Sequence, residues 1–568
     1  MWKRLKDLMN DKQNQTKYLR WLITISKPFR RSMMMLIAIN CLVGIVSIGS
    51  ALLQKQIIDF AKLSFGCKTA ILLAFLCIIL SFVLNIAFRI LSVKLTETYA
   101  CHLRSQLFRH ILKSVWKERR EYHSEELLSR LTSDVNLIAD GGIQVAVSGI
   151  TFFMQFLMTF GLLWYYEKTL AMISILVAPI AVFVNFYFGS QLATIHNNVQ
   201  QSEANYRTYL QEQISNADII LAFEQEDHSI QGLDELQKKR MYWIQKMNRY
   251  TVLCSTLITT IFSITYLIAF VVGAIKIGEG SITYGTLTVF LSLVSQIQML
   301  VYNFGNLLPK IVSILASSGR VMQITKLNQE EADLEVDLYH ESQDITFSDT
   351  DDNRMPGIFA KNLTLCYHNE EIIKDFSMSI QPGKKVLLKG VSGIGKTTLI
   401  RAILGFIHPE QGSLQLYNVV GKNLDCTKDT RAYISYVPQG NTLFMGTIEE
   451  NLRIGCQNAT FEQMKHALEI ACAWEFIKDL PEQLQTRIGE RGAGLSEGQA
   501  QRIGIARAML RKASIYIFDE STSALDEETE ERVLMNIKDN LTEDTCIYIS
   551  HRSKISDYVD YVVEMKES

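Results

Sequence analysis

A glycine-rich loop is the first candidate for chemistry in this sequence. Residues Gly390–Thr397 read Gly-Val-Ser-Gly-Ile-Gly-Lys-Thr and match the spacing G-x-x-x-x-G-K-[ST]. An apolar run at Lys385–Lys389 precedes the loop and a helical pattern at Thr397–Leu404 follows it, which is the context that the motif requires. Glycines let backbone N–H groups wrap closely around a phosphate. We predict that ATP is held here by Gly390, Ser392, Gly393, Gly395, Lys396, Thr397 and Thr398.

The side chains at the end of this loop have separate expected tasks. Lys396 can reach the β- and γ-phosphates, and the Thr397 hydroxyl can ligate Mg²⁺. Two acids, Asp519 and Glu520, end a second apolar strand that begins at Ser514. Asp519 is placed to hold Mg²⁺, and Glu520 is placed to polarise a water aimed at the γ-phosphate. Paired acids at a strand end often only cap a helix, but the phosphate loop upstream and Ser523–Asp526 downstream favour a metal and water site.

The bulk composition indicates which elements must carry this site. The chain has 568 residues, too many for one ordinary core, and 48% of them are hydrophobic. The formal net charge is −2. The chain therefore lacks the excess of basic residues that would indicate nucleic-acid binding. The ten cysteines are scattered without a C-x-x-C pair, which argues against a metal site or a disulfide framework.

Six apolar stretches in the first part of the chain are long enough to cross a bilayer as helices. They run over Met33–Leu53, Thr69–Leu91, Ile143–Tyr165, Leu170–Leu192, Thr251–Ile277 and Tyr284–Tyr302. Basic residues cluster before the first stretch, after the second and before the fifth, while the alternate loops are short and carry few positive charges. The positive-inside rule therefore predicts that the N-terminus and both long loops are cytosolic.

The two long loops have residue patterns that are typical of helices. Apolar side chains recur every four residues at Leu95, Tyr99, Leu103, Leu107, Ile111 and Val115. This stripe predicts that the second span continues as a helix into the cytosol, and Gln191–Asn248 has a similar pattern. Independent surface helices are the alternative. By contrast, Asn328–Asp352 holds ten acidic residues and no Lys or Arg, which predicts a solvated linker.

A further segment, Leu495-Ser-Glu-Gly-Gln499, indicates the family. With the loop and the acids above, it resembles the ABC transporters, specifically the exporter-type half-transporters, over roughly residues 30 to 566. The resemblance implies that Ser496, Gly498 and Gln499 on one chain face the nucleotide of a second. It further implies roles for Tyr367 in stacking on adenine, Gln439 in sensing Mg²⁺ and the attacking water, His551 in contacting the γ-phosphate, and Asp526 in communication across the dimer.

Glu497 departs from the family pattern, because it stands where the first glycine of L-S-G-G-Q is expected. Its carboxylate would be repelled by a partner's phosphates, so we expect it to point away, toward a basic neighbour. The resemblance also implies that short helices near Glu118–Glu126 and Ile214–Phe223 dock into the ATPase domains. Ordinary loop helices are the alternative.

The expected architecture is an all-α six-helix transmembrane domain with long cytosolic helical extensions, followed by an α/β P-loop ABC ATPase domain. The predicted boundaries are 1–32 for a cytosolic N-terminal segment, 33–316 for the transmembrane domain, 317–356 for the acidic linker and 357–568 for the nucleotide-binding domain. We expect a multi-pass protein of a bacterial plasma membrane with a cytosolic ATPase domain.

The expected function is ATP-driven export by alternating access in a dimer, of two identical chains or with a different half-transporter. Polar groups within the spans, including Asn40, Gln155 and Gln298, could face a central cavity or join helices. A peptide, a lipid or an amphipathic small molecule is the expected cargo, with membrane lipid around the protein. An ATP-gated channel, a regulatory subunit and an importer of exporter-like architecture remain the alternatives.

Overall fold

The computed structural model of the chain divides into two compact units, which are described separately. It describes residues 12–60, 66–166, 168–305, 307–330, 357–367, 370–391, 393–418, 421–489 and 492–566. The first unit is Met1–Leu112 with Tyr122–Lys326, and the second is Lys113–Glu121 with Leu327–Ser568. Most of the predicted acidic linker and the site residue Ser392 lie outside the described residues.

The first unit consists of helices. In chain order they are α1 (Lys12–Ile25), α2 (Arg30–Asp59), α3 (Gly66–Lys113), α4 (Trp116–Arg120), α5 (Ser124–Ser129), α6 (Val135–Tyr166), α7 (Lys168–Ser215), α8 (Ala217–Ala222), α9 (Glu226–Gly278), α10 (Tyr284–Gly305) and α11 (Leu307–Thr325), of which α4 belongs to the second unit. A π-helical turn at Arg130–Asp134 joins α5 to α6. Helix α11 continues past the predicted start of the linker at residue 317.

Five helical segments among the described residues are long and apolar enough to span a membrane. They contain all the predicted spans except Leu170–Leu192, which falls within α7, where many side chains are not described. Helix α3 has 48 residues and α9 has 53. At 1.5 Å per residue each is more than about 70 Å long, over twice the hydrocarbon thickness of a bilayer. These helices therefore extend well beyond the membrane, as the sequence predicts.

The side-chain stripe on the extension of α3 is buried. Leu95, Tyr99, Leu103, Leu107 and Ile111 are each at most 6% exposed. Apolar residues at four-residue spacing lie on one face of a helix, so the packing of that face holds the extension within its unit. Val115, the last predicted member, is half-buried and lies beyond the end of α3.

Several polar groups of the spans join neighbouring helices. Asn40 Nδ2 donates to Thr151 Oγ1 at 3.0 Å, and Gln155 Nε2 donates to the Asn40 carbonyl at 3.2 Å. Gln298 Nε2 donates to the Phe262 carbonyl at 3.1 Å. These contacts favour the interpretation that polar groups here connect helices, because a polar side chain in an apolar surrounding needs such partners.

The second unit is built on a parallel sheet with helices and an antiparallel sheet packed against it. Its strands are β1 (Gly357–Tyr367), β2 (Glu370–Ile380), β3 (Lys385–Lys389), β4 (Gln411–Tyr417), β5 (Asn423–Asp425), β6 (Ile434–Val437), β7 (Gly446–Thr447), β8 (Arg487–Ile488), β9 (Ile515–Asp519), β10 (Thr545–Ile549) and β11 (Tyr561–Glu564). Its helices after residue 357 are α12 (Lys396–Ile403), α13 (Ile448–Arg453), α14 (Phe461–Ile470), α15 (Trp474–Ile477), α16 (Glu497–Leu510) and α17 (Glu527–Asn540).

The parallel sheet has the order β11-β3-β10-β9-β6. Its central strands are buried on both faces: Tyr516 and Phe518 of β9 enter one apolar core, while Ile515 and Ile517 enter the other. Continuous apolar runs are typical of strands covered on both sides. The antiparallel sheet has the order β2-β1-β4-β5, and the sequence analysis did not predict it.

Candidate functional site

The phosphate loop connects β3 to α12. Gly395 has φ +104°, in the left-handed region, and a Cβ there would lie 2.9 Å from Ile373 Cγ1, so only glycine fits. Lys396 Nζ donates to the Gly390 carbonyl at 2.6 Å and to the Val391 carbonyl at 3.2 Å. This keeps the ammonium at the loop that would hold the phosphates. Thr397 is half-buried and Thr398 buried, both in the first turn of α12.

Asp519 ends β9 at the same edge of the sheet. Strands β3 and β9 both pair with β10 in parallel, so their carboxyl ends lie on one side. Asp519 is 3% exposed and accepts a hydrogen bond from Tyr436 Oη at 3.2 Å. Burial raises the pKa of Asp519, whereas the Tyr436 hydrogen bond and the positive charges of Arg401 and Lys396 lower it. The buried Asp519 carboxylate, at the strand end on the same side of the sheet as the phosphate loop, is placed to ligate a metal ion.

Glu520 brings together the three predicted catalytic residues. It has φ +45°, an uncommon conformation for a residue with a side chain, and its N–H donates to the Ile549 carbonyl at 2.9 Å. Its carboxylate accepts a hydrogen bond from Gln439 Nε2 at 2.6 Å. The other oxygen lies 3.5 Å from His551 Nε2. Three segments that are far apart in the sequence therefore converge on one carboxylate at the strand end.

The segment Leu495–Gln499 contains the N-cap and the first turn of α16. Ser496 Oγ accepts from the N–H of Gln499 at 3.2 Å and the Gln499 side chain accepts from the N–H of Ser496 at 2.9 Å, a reciprocal cap. A Cβ at Gly498 would lie 2.8 Å from the Ala524 carbonyl, so this position requires glycine. Glu497 is exposed in the first turn, where the helix dipole favours an acid. Among the ion pairs of the described residues none includes Glu497, so the expected basic neighbour stays a prediction.

Two further predicted residues lie at element ends. Asp526 caps α17 and accepts from the N–H of Thr529 at 2.9 Å and from its hydroxyl at 2.8 Å, and these bonds lower the pKa of Asp526. Tyr367 is the last residue of β1, and its ring centroid lies 6.2 Å from that of Trp116. The roles of both residues toward nucleotide stay predictions.

Sequence reasoning missed a network behind these residues. Arg552, next to His551, donates to the carbonyls of Ser523 and Leu525 at 2.7 and 3.0 Å and to buried Glu530 at 2.6 Å. Gln501 of α16 donates to Ser523 Oγ at 3.0 Å. The segment between Glu520 and Asp526 is thus joined to Arg552, the neighbour of His551, and to Gln501 of α16. Each network residue follows a predicted residue closely in sequence, which is the signal that could have found it.

Comparison with known families covers most of the chain. Residues 33–301 match the model described as ABC transporter transmembrane region, and residues 373–523 match the model described as ABC transporter. The two matches contain the predicted spans, apart from Tyr302 at the end of the last one, and most of the nucleotide-binding residues, in the predicted order.

Related proteins cover nearly the full length. An ATP-dependent lipid A-core flippase of Desulfotalea psychrophila is 29% identical over 85% of this chain and 83% of its own. A probable multidrug resistance ABC transporter ATP-binding/permease protein of Bacillus subtilis is 27% identical over 82% of this chain and 77% of its own. A solved structure of a bacterial Atm1-family ABC exporter with ATP bound has the same fold, with a TM-score of 0.79, 20% identity and coverage of 94% of this chain and 93% of the other. The chain therefore belongs to the ABC transporters as an exporter-type half-transporter, an ATP hydrolase coupled to transmembrane transport.

Proposed function

We propose that two half-transporters, of which this chain is one, bind ATP with Mg²⁺ between their ATPase domains and export an amphipathic molecule by alternating access. The convergence of Gln439 and His551 on the Glu520 carboxylate carries this proposal. A carboxylate held from two sides at a strand end beside a phosphate loop is suited to orient a water for attack on the γ-phosphate.

The residues around the loop fit Mg²⁺. The hydroxyl of Thr397, the carboxylate of Asp519 and the amide of Gln439 are all oxygen donors, which this hard cation prefers. When bound, the ion would neutralise charge on the phosphate oxygens.

The chain's own residues perform the remaining tasks. Lys396 binds the β- and γ-phosphates, the backbone of Gly390–Gly395 wraps them, and Tyr367 stacks on adenine. Glu520 takes the proton of the attacking water, while Gln439 orients that carboxylate and His551 contacts the γ-phosphate. Ser496, Gly498 and Gln499 act on the nucleotide of the partner, with the N-terminus of α16 directed at its charge. Asp526 links the two sites.

The exposed side chains around α8 are evidence for a docking surface that binds a partner subunit. Ile214, Ile219, Leu221 and Phe223 are between 56% and 72% exposed. Four large apolar side chains around one short helix outside the predicted spans are an exposed apolar patch, which marks an interaction site. We propose that this patch docks into the ATPase domain of the second half-transporter, in a homodimer or a heterodimer. Phe223→Ser should lower ATPase activity and dimer content, while Phe461→Ser, at an exposed phenylalanine of the other unit, should leave both unchanged. Equal dimer content in wild type and Phe223→Ser would contradict the docking proposal.

The membrane arrangement follows from charge. Basic residues before the first span and in both long loops support a cytosolic N-terminus and ATPase domain. The bacterial relatives support the plasma membrane of a bacterium as the location. The predicted spans hold few charged groups, which supports an uncharged or amphipathic cargo: a lipid, a peptide or a small molecule.

The test is transport by the purified protein in sealed vesicles. A panel of lipids, peptides and amphipathic dyes is screened for stimulation of ATPase activity, and each active compound is then followed across the membrane. We expect ATP-dependent movement away from the side that carries the ATPase domain. Movement toward that side would indicate an importer, and ion conductance without any cargo would indicate an ATP-gated channel; either result contradicts the proposal.

A further inference from the structure

A short segment between the second and third spans belongs to the ATPase unit. Residues Lys113–Glu121 cluster with Leu327–Ser568, although the flanking helices belong to the membrane unit. The N–H of Val115 donates to the Asn328 carbonyl at 2.9 Å, and Glu118 accepts two hydrogen bonds from Asn328, at 2.8 and 2.6 Å. The first residues of the linker therefore hold this segment through backbone and side-chain contacts together.

Trp116 lies at the centre of an aromatic cluster in the same unit. Its ring stacks on Phe406 with centroids 5.8 Å apart and planes 20° from parallel. The ring centroids of Trp116 and Tyr367 lie 6.2 Å apart, and the two ring planes are inclined at 46°. The Arg401 guanidinium lies 5.2 Å from the Trp116 ring centroid. The Arg120 guanidinium, in the same short helix, lies 5.1 Å from the Trp116 ring centroid. Trp116 is half-buried, so contacts with these side chains restrict its position.

An ion pair between Arg431 and Glu330 restrains Phe406, the other end of the aromatic cluster. The Arg431 guanidinium lies 4.3 Å from the Phe406 ring centroid and donates to both carboxylate oxygens of Glu330, at 2.7 and 3.1 Å. It also donates to the Leu404 carbonyl at 2.7 Å. Both side chains are mostly buried, with 24% and 17% of their surfaces exposed. A bidentate, partly buried Arg–carboxylate pair restrains geometry well. The contacts thus form a continuous series, from Tyr367 through Trp116 and Phe406 to the guanidinium of Arg431.

We propose that Trp116 is a positioning residue for nucleotide binding: it holds the Tyr367 ring in the orientation that stacks on adenine. The inference rests on the proposed role of Tyr367. It makes recognition of the base depend on a segment encoded between two membrane spans, so displacement of that segment would weaken base binding and leave the phosphate loop intact. The ligand part recognised is a planar, aromatic base.

The test compares nucleotide with a base-free phosphate chain, using the full-length protein in lipid nanodiscs. An aromatic pair contributes about a two- to twelvefold change in binding. We therefore expect Trp116→Ala to raise the KM for ATP by about that factor with kcat unchanged, and Trp116→Phe to restore most of it. Inhibition by tripolyphosphate, which has no base to stack, should keep its wild-type Ki in both variants.

Two controls separate the outcomes. Trp474 is also half-buried and lies edge-on to Phe461, at 5.9 Å between centroids, so Trp474→Ala should leave the KM unchanged. Tyr367→Ala tests the proposed role itself: an unchanged KM in that variant would refute adenine stacking by Tyr367. If Tyr367→Ala raises the KM, the double variant with Trp116→Ala should be no worse than Tyr367→Ala alone. A full additional effect in the double variant, or a raised Ki for tripolyphosphate in Trp116→Ala, would overturn the positioning role while the role of Tyr367 stands.

Discussion

The hydrogen bond from Tyr436 to Asp519 gives a quantitative prediction about the metal site. The carboxylate is 3% exposed, burial raises its pKa, and the Tyr436 hydroxyl opposes that rise. Burial, with the neighbouring carboxylate second, raises the pKa of Tyr436 as well, so its hydroxyl stays protonated and can donate at all physiological pH values. Tyr436→Phe removes this donor and keeps the ring.

The size of the effect follows from the bond length. A hydrogen bond to a charged group contributes about 1.5–3 kcal/mol, and 3.2 Å is long for an O–H donor, so the lower end applies. About 1.5 kcal/mol corresponds to about one pKa unit. If Asp519 ligates Mg²⁺ as proposed, it does so as the ionised carboxylate, so Mg²⁺ binding is complete above the pKa of Asp519 and is lost as the pH falls through it. Tyr436→Phe should therefore move this loss to higher pH by about one unit.

The assay is the Mg²⁺ concentration that gives half-maximal ATPase activity, measured across a pH series. Tyr558→Phe is the matched control, because Tyr558 Oη donates to the exposed Glu531 carboxylate at 2.9 Å, away from the site. That variant should follow the wild-type profile. An unchanged profile in Tyr436→Phe, or a shift to lower pH, would refute the assignment of Asp519 as the metal ligand controlled by Tyr436.

Two stability predictions concern other contacts. Asp134 is buried, accepts from Arg320 Nε at 2.8 Å and from Ser317 at 2.9 Å, whereas Arg320 is half exposed. Arg320→Ala leaves an unpaired buried carboxylate and should lower the unfolding free energy by about 3 kcal/mol, more than Asp134→Asn, which leaves a solvated guanidinium; the reverse order in thermal unfolding would contradict this reasoning. Thr460 forms a reciprocal cap with Gln463 at the start of α14. Thr460→Ala should cost about 1 kcal/mol and Thr460→Ser should cost less, and equal unfolding temperatures for the two variants would argue against the cap.

The parts of the site that were predictable are those whose geometry is local. Gly395 has a left-handed φ in the turn between β3 and α12. The glycine motif between an apolar run and a helical pattern predicts such a turn from the sequence alone. The ends of β3 and β9 could be paired because parallel strands present their carboxyl ends on one side of a sheet. The burial of Leu103 and its neighbours followed from helical periodicity in the same way.

The parts that could not be predicted depend on contacts between distant segments. Trp116 contacts Tyr367 and Phe406 across more than two hundred residues, and its own surroundings in the sequence are polar and basic. The ion pair between Arg431 and Glu330 could not be predicted either, because in the sequence Glu330 is one of many acidic residues of a predicted solvated linker. Tertiary packing selects such pairs, and neither spacing nor composition records them.

The most direct measurement of the central claim is ATP hydrolysis by Glu520→Gln in the reconstituted protein, together with ATP binding by the same preparation. The substitution keeps the size of the side chain and removes the carboxylate, the proposed base, that lies between Gln439 and His551. We predict that hydrolysis falls on the order of 10²–10⁴-fold while ATP binding and folding are retained, and that transport stops with it. Hydrolysis at the wild-type rate in Glu520→Gln would contradict the account, because the reaction would then not depend on the carboxylate around which the site is built.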